Sequence, residues 1–282
     1  MVHQQHPGSQ PDPDPVGPRG PGGPPRSVAR GVARNAVLWE RVRELLGRAD
    51  EGSGPRQVVD LGGGTGGLAV RAAELGHHVT VVDPSPDALA SMHRRAEENG
   101  VADRVLGVQG DTTDLGEHVA PGSVDVVLCH GVLEVVEDPG QALDAIGDAL
   151  RSDGVLSVVV AGRYAAVLAR ALAGHLVAAR SLLEVPTGDV STSEGQVRTR
   201  GPRRFTREEI LDLLAEHGFT AEVVHGLRVF ADLVPSSVVD TEPGAQTALV
   251  ELERAVAQVP ELAAVAGQLM VVSRRVVSRR SR

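Results

Sequence analysis

The residues best suited to chemistry lie in and after one glycine-rich stretch, Asp60-Leu61-Gly62-Gly63-Gly64-Thr65-Gly66-Gly67. Glycine lacks a Cβ, so it admits positive φ and lets a ligand approach the main chain closely. Two spacings overlap here. Gly62-x-Gly64-x-x-Gly67 suits a dinucleotide, and Asp60-x-Gly62-x-Gly64-x-Gly66 suits S-adenosylmethionine (SAM). A glycine-rich turn without ligand competes with both. Further along, Asp83, the run Asp111-Thr112-Thr113-Asp114, and His130 each follow an apolar stretch. Asp83 is placed to grip ribose hydroxyls or to serve the turn before Pro84. Of Asp111 and Asp114, one is placed to meet an adenine amino group and the other to cap the next helix. Asp60 serves the loop itself, through backbone hydrogen bonds or a ligand amine. His130 is a ligand contact or a satisfied polar residue at the sheet edge. Glu134 and Glu137 read as solvated, and Cys129 as buried strand packing.

Strands and helices must hold these residues at one edge. Apolar runs predict strands over 57–61, 78–82, 104–109, 124–129 and 155–160. Helices fall between them, from Gly67 to about Gly76, over 86–99 behind Ser85-Pro86-Asp87, and over 139–151. Arg151-Ser152-Asp153-Gly154 reads as a turn. Unbroken apolar strands separated by helices imply a parallel sheet covered on both faces. The fold class is therefore doubly wound α/β, with its ligand at the carboxyl ends of the strands.

Before the loop, Val32, Ala36, Val37, Trp39, Val42, Leu45 and Leu46 recur at helical spacing. Trp39 is a core anchor; Arg34 is either solvated or carried on a lid over the ligand. After the fifth strand, Tyr164–Leu183 reads as one apolar helix and 184–204 as a loop. Thr206 and Glu209 form a capping box opening a helix that stops at His217-Gly218. Phe219–Val224 and Leu269–Ser273 are the last strands, joined through a helix near 244–258.

Composition narrows the function. The chain has 282 residues and net charge −9, with 41% apolar but only 2% aromatic residues. The core must come from Val, Leu and Ala. All 28 basic residues are arginine. The acidic balance opposes non-specific nucleic-acid binding by the whole surface, although local patches differ. A single cysteine excludes an internal disulfide and a multi-cysteine metal site. No apolar run reaches membrane-span length and the N-terminus lacks a signal-peptide core, so a cytoplasmic location is expected. Residues 1–27, rich in Pro and Gly, are expected to be a disordered tail. A domain over 28–275 and a basic tail over 276–282 complete the division, with Arg274 and Arg275 also read as part of the frayed end.

At this point the sequence resembles a family. The 60–66 loop, Asp83, Asp111 to Asp114, Val126–Leu133 with Asp138-Pro139, and Leu150–Leu156 together are similar to class I SAM-dependent methyltransferases. A nicotinamide dehydrogenase would share only the first two. Ala33–Trp39, His130–Glu134, Gly226–Phe230 and Leu249–Glu253 further resemble bacterial tRNA 5-carboxymethoxyuridine methyltransferases. The resemblance implies a Rossmann-like, mostly parallel seven-stranded sheet with an antiparallel last strand. It implies SAM as cofactor, no metal, and SAM contacts at Arg34, Gly62, Gly63, Asp83, Thr113, Asp114 and His130, with Asp60 and Gly64 completing the loop. Two segments depart from that family. Ala161-Gly162-Arg163-Tyr164 stands where it has Asn and His before a glycine, and the acidic, Ser/Thr/Gly-rich Glu184–Gln196 replaces a lysine-rich stretch.

The acceptor is bounded by absences. No Asn/Asp-Pro-Pro-aromatic stretch follows the fourth strand, which argues against base amines, and Cys129 is poorly placed for a cysteine adduct. An oxygen acceptor remains. A carboxylate would need an orienting cation, and Arg228 is the candidate, against a strand-edge salt bridge as its plainer role. Arg198, Arg200, Arg203, Arg204 and Arg207, with the C-terminal arginines, are the candidate contacts to tRNA phosphates, or else solvated surface. Three functions stay open: a tRNA O-methyltransferase, an O-methyltransferase for a small carboxylate or hydroxyl compound, and a non-catalytic SAM-binding regulator.

Overall fold

The computed structural model describes residues 26–50, 54–184 and 202–276, with side chains in the first segment from Asn35 onward. Of the expected tails 1–27 and 276–282, residues 1–25 and 277–282 lie outside the described residues, as do the stretch 185–201 with Arg198 and Arg200 and the Arg34 side chain, while Arg26 and Ser27 already belong to the first helix.

In chain order the elements are α1 (Arg26–Leu46), β1 (Gln57–Leu61), α2 (Gly67–Glu74), β2 (His78–Asp83), α3 (Pro86–Glu98), β3 (Val105–Gln109), α4 (Leu115–His118), β4 (Val124–His130) and α5 (Pro139–Ala149). There follow β5 (Leu150–Ala161), α6 (Arg163–Leu172), α7 (Leu176–Glu184), α8 (Arg207–Glu216), β6 (Phe219–Leu227), α9 (Ser236–Thr241), α10 (Ala245–Val256), α11 (Pro260–Ala263) and β7 (Gln268–Arg275). The seven strands lie in the order β3-β2-β1-β4-β5-β7-β6. β1 to β5 pair in parallel, and β7 runs antiparallel to both β5 and β6. This is the doubly wound, mostly parallel sheet with an antiparallel last strand that the sequence predicts.

Side-chain alternation splits the core into two layers. Val59, Leu61, Val127, Leu156 and Val158 pack against Leu143, Ile146, Ile210 and Leu214 of α5 and α8. Val58, Val81, Val126, Leu128 and Met270 pack against Val42 and Leu46 of α1, Val70 of α2 and Met92 of α3. Aliphatic side chains fill both layers, as the near absence of aromatics requires. Trp39 is only partly buried, and the Arg71 guanidinium stacks 4.9 Å from its ring centroid.

Local chemistry sets several helix starts. The Ser85 hydroxyl accepts the Ala88 N–H at 3.2 Å with Pro86 in the first turn. Asp138 accepts the Gly140 and Gln141 N–H groups ahead of Pro139. Thr206 and Glu209 close the expected capping box.

Three expectations need correction. Arg151–Gly154 do not precede the strand: β5 already begins at Leu150, and these four residues form a bulge opposite Asp125, since Leu150 pairs with Val124 and Val155 with Val126. Arg151 there pairs with Asp125 and Asp153. The single apolar helix breaks into α6 and α7 at Gly174, whose φ of 80° ends a right-handed helix. Arg274 and Arg275 belong to β7: Arg274 pairs with Glu222, and Arg275 donates to the Leu150 carbonyl at 2.6 Å.

Candidate functional site

The glycine loop leaves β1 through Gly62, Gly64 and Gly66, with φ of 68°, 55° and 73°. Only glycine takes this left-handed sequence without strain. Three main-chain donors are tied back: Gly62 N–H to Val82 O at 2.8 Å, Gly64 N–H to Asp83 Oδ2 at 2.8 Å, and Gly66 N–H to Gly63 O at 3.0 Å. Close packing below forbids a side chain even where φ would allow one. A Cβ on Gly63 would stand 2.6 Å from Asp60 Oδ2, and at Gly62, already at positive φ, one would also stand 2.7 Å from Val132 Cγ2.

Asp83 ends β2, is 8% exposed, and accepts both Gly64 N–H and, through Oδ1, Ser85 N–H at 2.9 Å. Its turn role is thus present. Each carboxylate oxygen keeps a further lone pair, and the residue lines the cleft. Asp60 is 3% exposed beneath the loop and accepts the Ala69 N–H, while Oδ2 has no partner among the described residues. Burial, reinforced by the Asp83 charge, pushes its carboxyl up to about 7.

After β3, Asp111 Oδ1 accepts both the N–H and the hydroxyl of Thr113 at 2.7 Å, and the hydroxyl bond chiefly holds Asp111 below the usual carboxylate range. Asp114 Oδ2 accepts the Asp111 N–H at 3.2 Å. Asp114 occupies the N-cap of α4 but its side chain makes no cap bond. Gly110 to Thr113 line the cleft; Asp114 does not.

His130 closes β4 and is partly buried, with Nε2 2.9 Å from the Ser157 hydroxyl and Nδ1 buried without a partner among the described residues. Desolvation pushes its pKa down to about 4, so the ring is neutral at physiological pH. Cys129 is fully buried, and its thiol is pushed far up by desolvation.

A cleft of about 1610 Å³ joins these strand ends: it passes Leu61, Gly62, Asp83, Thr113 and His130 and continues between Val135–Asp138 and α8. The structure thus brings Gly62, Asp83, Thr113 and His130 together. Gly63, Gly64, Asp60 and Asp114 are not among the lining residues.

The far half of the cleft differs from the sequence reading. Glu134 is buried, not solvated: Oε1 accepts the Ala161 N–H at 2.7 Å, and desolvation raises its pKa. Glu137 is exposed, as expected. Arg203, a phosphate candidate, instead fastens the loop after β4. Its N–H donates to Glu134 O at 2.9 Å and its guanidinium to the carbonyls of Val136 and Glu137. Arg163 is buried and pairs with Glu209 at 2.7 Å.

Arg228 is absent from the cleft lining. It follows β6 with φ of 57°, and NH2 donates to Asn35 Oδ1 of α1 at 2.8 Å. A residue the sequence reading passed over holds that turn. The buried Glu253 carboxylate accepts the N–H groups of Val229, Phe230 and Ala231 at 3.0, 2.8 and 2.7 Å. Its sequence signals were its place in the Leu249–Glu253 stretch that carries the resemblance and an acid at helical spacing from Leu249 and Val256. Ser157 was missed for lack of any signal.

Residues 59–158 match a family model described as a methyltransferase domain. The tRNA 5-carboxymethoxyuridine methyltransferase of Escherichia coli K12 is 32% identical over 148 residues, 52% of this chain and 56% of that protein. A ubiquinone biosynthesis O-methyltransferase of Cupriavidus pinatubonensis is 31% identical over 165 residues, 58% of this chain and 64% of that protein. The chain thus spans somewhat over half the length of these relatives. The geranyl diphosphate C-methyltransferase of Streptomyces coelicolor A3(2), solved with S-adenosyl-L-homocysteine, superposes with a TM-score of 0.56 at 17% identity, over 86% of this chain and 79% of that one. With the strand order and the antiparallel β7, these matches place a methyltransferase domain at residues 59–158, within a chain that has the class I methyltransferase fold.

Proposed function

We propose that this chain is a SAM-dependent methyltransferase acting on an oxygen acceptor. The observation that carries this reading is the left-handed glycine loop pinned to Asp83 beside an open cleft. The residues present fit the cofactor. The loop is stripped of Cβ atoms where main chain must be approached, and two buried carboxyls beneath it suit a ligand with a sulfonium, an amine and a diol. Gly62, Gly63 and Gly64 would present main chain, Asp83 would take ribose hydroxyls, and Thr113 and Asp114 would flank the adenine. Asp60 would support the loop and the methionine amine, with His130 and Arg34 as the remaining contacts. Bound SAM supplies an electrophilic methyl group for in-line displacement. The chain's part is alignment and exclusion of water.

Oxygen is favoured because β4 runs into His130-Gly131-Val132-Leu133, without the residues that hold a base amine, and because the Cys129 thiol is sealed in the core. Sequence similarity supports a carboxymethoxyuridine carboxylate in tRNA as acceptor. A carboxylate is ionised at neutral pH and needs no general base. A small hydroxyl-bearing acceptor is the second reading, and the far cleft favours it. Among the described residues, Glu137, Asp138, Glu209, Asp212 and Glu216 line that half, and Arg203 there is spent on loop carbonyls. Such a wall repels a polyanion.

Calorimetry with SAM and S-adenosylhomocysteine tests the cofactor reading; no heat of binding would end it. Mass analysis of tRNA nucleosides from cells with and without the gene separates the acceptors. Loss of a methyl ester supports tRNA, and an unchanged profile with turnover on a hydroxyl compound supports the second reading. SAM binding without turnover on either would leave the regulatory alternative.

A further inference from the structure

Ser157 lies in the middle of β5, fully buried, opposite Leu128 on β4 and Val272 on β7. Leu128, Val159, Met270 and Val272 make up the apolar layer on that face of the sheet. A hydroxyl among such side chains is costly unless it is hydrogen-bonded. Its partner among the described residues is His130 Nε2, at 2.9 Å.

The proton inventory of this pair restricts the ring. A serine hydroxyl has one proton, and a neutral imidazole has one N–H. If Nε2 carried the ring proton and donated to Ser157, the hydroxyl proton would be stranded inside the apolar layer, on a residue that does not line the cleft. If the hydroxyl donates to Nε2, the ring proton sits on Nδ1, which is buried and has no partner among the described residues. In that arrangement the bare donor belongs to the residue that lines the cleft.

We propose that Ser157 is a positioning residue: it holds His130 as the Nδ1–H tautomer, so that His130 offers a hydrogen-bond donor to an acceptor atom of the bound cofactor. The assignment rests on the SAM reading above. The neutral state that this geometry needs agrees with the desolvation of the ring.

The test uses the full chain labelled with 15N-histidine, long-range 1H–15N spectra to read the tautomer, and calorimetry with S-adenosylhomocysteine. Wild type is expected to show His130 as Nδ1–H. Ser157→Ala should shift it toward Nε2–H and weaken binding roughly tenfold, the scale of one lost hydrogen bond. Ser157→Thr, which keeps the hydroxyl, should retain the wild-type tautomer. In a His130→Ala background Ser157→Ala should cause no further loss of affinity, since the two act as one unit.

A merely structural serine would lower the melting temperature and give additive losses of affinity, and that result overturns the proposal. A wild-type ring in the Nε2–H form overturns it without any variant, whether or not Ser157→Ala folds. Failure of the underlying reading looks different. If wild type binds no S-adenosylhomocysteine, the SAM assignment falls, and this role with it, even where the tautomer follows Ser157. If wild type binds but the tautomer ignores Ser157, only the role of Ser157 falls.

Discussion

The two halves of the cleft are built by different means. The half over β1, β2 and β3 is held by bonds between strand ends and the turns that follow them: Gly64 to Asp83, Asp83 to Ser85, Thr113 to Asp111. The half over β4, β5 and α8 is held by long-range arginine and glutamate contacts: Arg203 on the loop after β4, Glu134 on Ala161, Arg163 on Glu209. One half exposes main chain shaped by glycine, whereas the other has spent its buried charges on its own scaffold. The first suits a fixed cofactor, and the second leaves the acceptor to be chosen by exposed side chains.

Substitutions can break that contrast. The largest effect is expected at Gly66, where an added Cβ meets both a φ of 73° and the Met92 side chain. Gly66→Ala should cost about 2–4 kcal/mol in urea unfolding and abolish detectable SAM binding. Wild-type stability would show that the loop is not fixed. Next, Asp83→Ala removes an acceptor of two main-chain bonds and should weaken SAM binding by about 1–3 kcal/mol in calorimetry. Unchanged affinity would remove Asp83 from the site.

Asp60 gives an effect on the pH dependence of stability, with a definite sign. The folded chain retains a proton on Asp60 up to about pH 7, whereas the unfolded chain releases it near 3.8. This group therefore makes stability fall as pH rises from about 4 to 7, with no further change above. In Asp60→Asn that contribution is gone, so the stability difference between variant and wild type should move in favour of the variant across this window. A difference that stays flat with pH would show that Asp60 is ionised throughout.

The smallest effect is expected at Arg228. Its bond to Asn35 and its place outside the lining predict that Arg228→Ala loses at most about 1 kcal/mol of stability and keeps wild-type turnover per folded molecule. A large loss of turnover in Arg228→Ala and Arg228→Lys alike, with SAM affinity intact, would instead restore it as a carboxylate clamp.

The same contrast explains what the sequence could reveal. Asp60, the glycines and Asp83 were legible because each sits a residue or so from the end of an apolar strand, and parallel topology brings strand ends together. The capping box at Thr206 was legible for the same local reason. Glu134 was misread because its neighbours in sequence are unremarkable; its burial depends on Ala161, 27 residues away. Arg203 looked like one member of a surface cluster, yet its bonds reach back 66 residues to Glu137. Arg151–Gly154 carried turn residues, and they sit as a bulge within β5, between the Leu150 and Val155 pairings to β4, a placement set by long-range pairing on either side of them.

The placement of α1 bears on the order in which the molecule is made. Glu40 of this helix pairs with Arg254 of α10 across 214 positions, and Asn35 accepts from Arg228 across 193. Contacts so distant in sequence carry a high loop-closure cost and form late in folding. During synthesis α1 leaves the ribosome first but cannot dock through these contacts until α10 and the β6 turn have emerged. A nascent chain stopped before residue 228 would already contain the whole glycine loop while lacking these two distant partners of the helix that precedes it. Cofactor capture by ribosome-bound chains of increasing length should therefore strengthen in a late step, once the last helices are out.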